Sequence, residues 1–131
     1  MKTLVLFIIL SGSVLAQTPS FYTITFDSAA STSDSVYMYP GESFAGILVP
    51  ATFADTLKFQ VSINGGTGNW YNLVDNDGIL YVVKCLTSSA NAVPLKPILF
   101  YPFRLFRVVV TTSDTPAGGG TLIGVSVPYL K

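Results

Sequence analysis

The segment from Leu57 to Gly78, LKFQVSINGGTGNWYNLVDNDG, restricts what this chain can fold into more than any other stretch. Leu57, Phe59, Val61 and Ile63 alternate with Lys58, Gln60 and Ser62. That two-residue period predicts a strand with one face on a core and the other in water. Asn64-Gly65-Gly66-Thr67-Gly68 follows as a glycine-rich turn, where positive φ costs nothing sterically. Trp70, Tyr71 and Leu73 supply the return strand, which stops at the turn signal Asp75-Asn76-Asp77-Gly78. Two turns bracketing alternating apolar residues in this way point to an antiparallel sandwich or barrel.

The rest of the chain repeats the pattern. Tyr22, Ile24 and Phe26 share one face of a first strand, and Val36 to Tyr39 forms a short one closed by Pro40-Gly41. Gly46 to Val49 is another, stopped by Pro50, and Ala51 to Asp55 is compatible with one helical or 3₁₀ turn. Ile79 to Leu86 is apolar on both faces, the pattern of a strand in the middle of a packed sheet or at an interface. Thr87 to Pro97 reads as a long loop. Phe103 to Thr112 is a strand, Ser113 to Gly120 a turn, and Thr121 to Val127 a last strand with Ile123, Val125 and Val127 inward. Eight or nine short strands without repeats or linkers predict an all-β fold, a single antiparallel β-sandwich of the jelly-roll kind over residues 17–131.

Residues 1–16 stand apart. Lys2, the apolar run Leu4 to Leu10 and the small-residue site Val14-Leu15-Ala16 before Gln17 have the form of a secretory signal peptide. The other reading is a retained hydrophobic arm that packs on a partner subunit. The run falls short of the roughly 20 apolar residues needed to span a bilayer, so no stable transmembrane span is expected.

Composition narrows the chemistry. Histidine is absent, which removes Ser-His and Cys-His nucleophiles and the commonest kind of zinc site. Cys85 is the only cysteine, so no disulfide forms within the chain, and its apolar neighbours suggest a buried, inert thiol. Seven basic and seven acidic residues leave no net charge and no basic run, so no nucleic-acid partner is expected. The seven acids are scattered through turns without a converging pair, and the chain reads as no enzyme and in need of no cofactor.

Two patches resemble discoidin-like domains (factor 5/8 C-terminal type, galactose-binding-like). In FQVSINGGTGNWYNL, residues Ser62, Asn64, Gly65 and Trp70 match that family's strand, turn and Trp-bearing return strand. Phe103 to Val108, FRLFRV, is similar to its late Arg-x-x-Arg strand. A broader likeness, over roughly residues 36–127, is to small β-sandwich structural proteins of bacterial viruses. It rests on Gly41-Glu42-Ser43, Gly46-Ile47, Pro50-Ala51 and Phe53, then on Leu57 to Gly78. This resemblance implies a virion surface or capsid-associated subunit of the decoration or fibre type, partnered by copies of itself or by capsid or surface-lattice proteins. The signal-like leader departs from that family's pattern. It fits a second expectation, a secreted or extracellular carbohydrate-binding module or adhesin-like subunit.

Candidate ligand residues follow from the hairpin: Asn64, Asn69, Trp70 and Tyr71 would set an aromatic face beside amide donors, suited to a glycan. Trp and Tyr are equally core or interface residues, and that reading takes precedence. Asp75, Asn76 and Asp77 offer oxygens to Ca²⁺, but one turn cannot supply the six to eight that a cage needs, so an Asx-type turn and no metal is expected. Arg104 and Arg107, three apart on a strand, are predicted to face opposite sides, at least one of them pairing with an acid such as Asp55 or Glu42 or lying at an interface.

Overall fold

The computed structural model describes residues 18–28, 30–51, 53, 56–63, 69–86, 88–110 and 119–128. Within them the chain forms strands β1 (Ser20–Phe26), β2 (Val36–Tyr37), β3 (Glu42–Val49), β4 (Thr56–Ser62), β5 (Tyr71–Asn72), β6 (Val82–Lys84) and β7 (Asn91–Pro94). A one-turn helix α1 (Pro97–Phe100) precedes β8 (Leu105–Val109) and β9 (Gly120–Pro128). The four-stranded sheet runs β1-β9-β3-β7 and the five-stranded sheet β2-β8-β4-β5, with β6 also paired to β4. All named pairings are antiparallel. The fold is thus the all-β sandwich expected from the alternating pattern.

Tyr22, Ile24 and Phe26 do face inward together, and Leu57, Phe59 and Val61 are buried at 0%, 1% and 3% exposure. The core is largely aromatic. Phe44, Phe59, Phe100 and Phe106 are each almost fully buried, and the Phe44 and Phe106 rings meet edge-on at 4.1 Å between centroids. A bulge in β3 at Ala45 resets the alternation, so that Phe44 and Ile47 both point inward although three apart.

Several expectations are corrected. In β9 the inward face is Leu122, Gly124 and Ser126, while Ile123 is 39% exposed and Val125 and Val127 lie on the outer side. Space is the reason: a Cβ built on Gly124 would overlap the buried Phe44 ring, so the smaller face of β9 must turn in. Ile63 is 65% exposed because β4 ends at Ser62, and Ser62 is buried where a solvent-facing residue was expected. Only Val82 to Lys84 of the doubly apolar segment forms a strand, and it lies at an edge, paired to β4 alone, with Ile79 and Leu86 exposed. Part of the supposed loop 87–97 is the edge strand β7, which tolerates Pro94 because an edge has ladder positions that need no donor. The turns at 64–68 and 113–118, most of the Ala51 to Asp55 turn and the leader lie outside the described residues. Among the described residues no helix is long and apolar enough to cross a membrane.

Candidate functional site

The four residues expected to form one ligand face do not converge. Asn64 lies outside the described residues, and Asn69 is exposed just before β5. Trp70 and Tyr71 are neighbours on an extended segment and therefore project to opposite sides.

Trp70 belongs to the outer surface of the five-stranded sheet. Register places Gln60 of β4 between Asn72 of β5 and Arg107 of β8. Arg107 Nε donates to Gln60 Oε1 at 2.8 Å, and Gln60 Nε2 donates to Asn72 Oδ1 at 3.0 Å. The guanidinium carbon lies 4.3 Å from the Trp70 ring centroid, so a cation–π contact covers one ring face. Burial lowers the Arg107 pKa, consistent with its seat beneath the indole. No acid pairs with Arg107 among the described residues, and Asp55 lies outside them. Its contacts here are a side-chain amide and an aromatic ring, which sequence spacing alone does not reveal, because they run across three strands.

Tyr71, 51% exposed, lines an apolar groove at one end of the sandwich, between the β4–β5 hairpin and α1. Val61, Ile63, Leu73, Ile98 and Phe103 form its walls, Asn72 and Asn76 are also part of its lining, and its volume is about 390 Å³. A second cavity of about 300 Å³ adjoins it, the two sharing Ile63, Pro102 and Phe103.

Asp75 does build an Asx-type turn. Its Oδ1 accepts the N–H groups of Asp77 at 3.0 Å and Ile79 at 2.9 Å, which leaves little of that oxygen for an ion. No group of three potential metal ligands occurs among the described residues. Cys85 packs against the core but is only partly buried, less than the buried position expected of it.

One polar cluster was not anticipated. The Glu42 carboxylate accepts hydrogen bonds from Ser20 Oγ (2.8 Å), Tyr22 OH (2.7 Å) and Ser126 Oγ (2.7 Å), tying β1, β3 and β9 together. Tyr22 OH in turn accepts the Tyr39 N–H at 3.1 Å. Burial pushes the Glu42 pKa up, but the three hydroxyl donors outweigh it and hold the carboxyl below its ordinary value. Burial, together with the negative neighbour, raises the Tyr22 pKa. With its oxygens occupied by hydroxyls, Glu42 makes no ion pair with either arginine among these contacts. The cluster is a structural clip, and no substrate-sized space adjoins it among the cavities described.

The outer face of the four-stranded sheet has a different character. Phe21, Thr23 and Thr25 of β1, Thr121, Ile123, Val125 and Val127 of β9, Leu48 of β3, and Ala92 and Pro94 of β7 share it. None is charged. Phe21 is 66% exposed, and Leu48 and Ile123 line a shallow apolar depression between β3, β7 and β9.

No family model and no curated protein matches the chain.

Proposed function

We propose that the chain is a non-enzymatic structural subunit, a capsid-associated β-sandwich of the decoration or fibre type, working through protein–protein contacts. One observation carries this reading: a sheet face that presents Phe21, Leu48, Ile123 and threonines to solvent without a single charge. The largest apolar patch on a monomeric protein, about 300–600 Å² in area, often serves as a contact surface. Four strands about 4.8 Å apart and about seven residues long give a footprint of roughly 400 Å². A standard interface takes about 800 Å² per partner. Such a face is therefore weak for one isolated pair and suits repeated contact in a lattice, where tethering multiplies modest affinities. The likeness of residues 36–127 to bacterial-virus sandwich proteins is the reason for placing that lattice at a virion surface. Light scattering over a concentration series tests it. The average mass is expected to rise to that of a defined oligomer; a monomer at every concentration, without affinity for any particle, refutes it.

A second reading, a secreted carbohydrate-binding module, draws on Tyr71, an exposed ring beside Asn72 at the groove. Glycan binding lost in Tyr71→Ala with the fold intact supports it. Trp70 is the poorer platform because Arg107 already lies over it.

A further inference from the structure

We infer that the cavity of about 300 Å³ beside the start of β8 is a binding site for a small organic carboxylate with a compact apolar body. Three adjacent strands build it. Tyr37 of β2, Leu105 of β8 and Ser62 of β4 are paired side by side across the five-stranded sheet. Ile63 and Phe103 complete the apolar wall, and Arg104 stands at the rim.

Two features call for a ligand with a charged end. Among the described residues, one buried side-chain polar atom lacks a hydrogen-bond partner, the Ser62 hydroxyl oxygen, on a residue only 4% exposed. Buried polar groups are nearly always satisfied, so an orphan beside a cavity is a group held ready for something else. Rotation about the single Cα–Cβ bond is all a serine needs to turn its hydroxyl toward a new partner. The second feature is Arg104, an exposed guanidinium with no ion-pair partner among the described residues. Its fork matches a carboxylate with two parallel hydrogen bonds. The backbone beneath is fixed, since the Arg104 carbonyl accepts the Met38 N–H at 2.7 Å.

The chemistry excludes simpler occupants. A purely apolar molecule would leave the Ser62 hydroxyl without a partner and gain nothing from Arg104, and a bare inorganic anion would leave the Phe103 and Leu105 walls wet. The volume stands at the small end of the range for ligand pockets, which suits one ring or short branched chain carrying one carboxylate. This site lies on the five-stranded sheet and is independent of the assembly face on the other.

The test uses the full chain labelled with ¹⁵N and titrated with sodium benzoate, with benzamide as the neutral counterpart. Benzoate is expected to shift the amides of Tyr37, Ser62 and Arg104 saturably, and benzamide to bind roughly tenfold more weakly, the loss expected of one charge-assisted hydrogen bond. Arg104→Gln, at an exposed position, is expected to erase the difference between the two probes. Ser62→Ala is expected to weaken benzoate while leaving the melting temperature equal or higher, because it removes an unpartnered buried hydroxyl. Equal binding of benzoate and benzamide, benzoate binding unchanged in Arg104→Gln, or no saturable shift at these residues overturns the proposal.

Discussion

Substitutions at two neighbouring positions of β9 give the sharpest test of how the sandwich is packed. Gly124 faces inward against Phe44, which is 1% exposed and wedged between Phe106 at 4.1 Å and Phe100 at 5.6 Å between ring centroids. A Cβ at position 124 would overlap the Phe44 ring, which is buried and already packed against Tyr22, Phe100 and Phe106. Gly124→Ala is therefore an overpacking change, expected to cost about 1–3 kcal/mol despite adding one methyl and improving strand propensity. Ile123, 39% exposed on an open face, leaves no closed cavity when shortened, so Ile123→Ala is expected to cost only about 1 kcal/mol. An inward Ile123 would instead cost about 2–5 kcal/mol. Denaturant unfolding with unchanged m-values measures both. Phe44→Leu in the Gly124→Ala background supplies the control: the double variant is expected to be less destabilised than the sum of the singles. A larger loss at Ile123 than at Gly124, or strict additivity with Phe44→Leu, would refute this packing.

Three further expectations concern the polar contacts. Because the Glu42 carboxyl is held below its ordinary value, the stability it confers is complete above the unfolded glutamate pKa of about 4.3 and is lost as pH falls through the lower folded value. Acid unfolding curves of wild type and Glu42→Gln should therefore converge below that range and separate above it; parallel curves would contradict the clip. Asp75→Ala, which strips the acceptor from two backbone N–H groups, is expected to cost about 1 kcal/mol, and neither Ca²⁺ nor a chelator is expected to shift the melting temperature by calorimetry. Arg107→Ala is expected to cost about 0.5–1 kcal/mol and to shift the emission of Trp70, the sole tryptophan, to the red; unchanged fluorescence would remove Arg107 from the ring face.

The strands were legible where local pattern and burial agree. In β1 and β4 every second residue is apolar and meets the core, and the Asp75 turn follows from side-chain chemistry within four residues. The pattern misleads where a distant residue decides. In β9 either face is plausible from alternation, and the branched residues Ile123, Val125 and Val127 look like the buried set. The Phe44 ring, eighty positions away in sequence, takes that space and sends them outward. The run from Ile79 to Leu86 shows the same weakness: apolar residues on both faces do not distinguish a central strand from an edge whose apolar side is exposed. At the candidate site, the Gln60, Asn72 and Arg107 ladder depends on register across β5, β4 and β8, which no single strand encodes. The orphaned Ser62 hydroxyl is likewise invisible until β4 is seen to end at that residue.

The account depends most on the uncharged outer face of the β1-β9-β3-β7 sheet being a contact surface. Ile123→Lys places a cation at its centre, where a long side chain reaches solvent in the isolated chain at little cost to folding. Sedimentation velocity over a concentration series compares this variant with wild type. The expected result is concentration-dependent association in wild type and a single monomeric species in the variant, with melting temperatures within a few degrees. Identical association in the two proteins would contradict the claim.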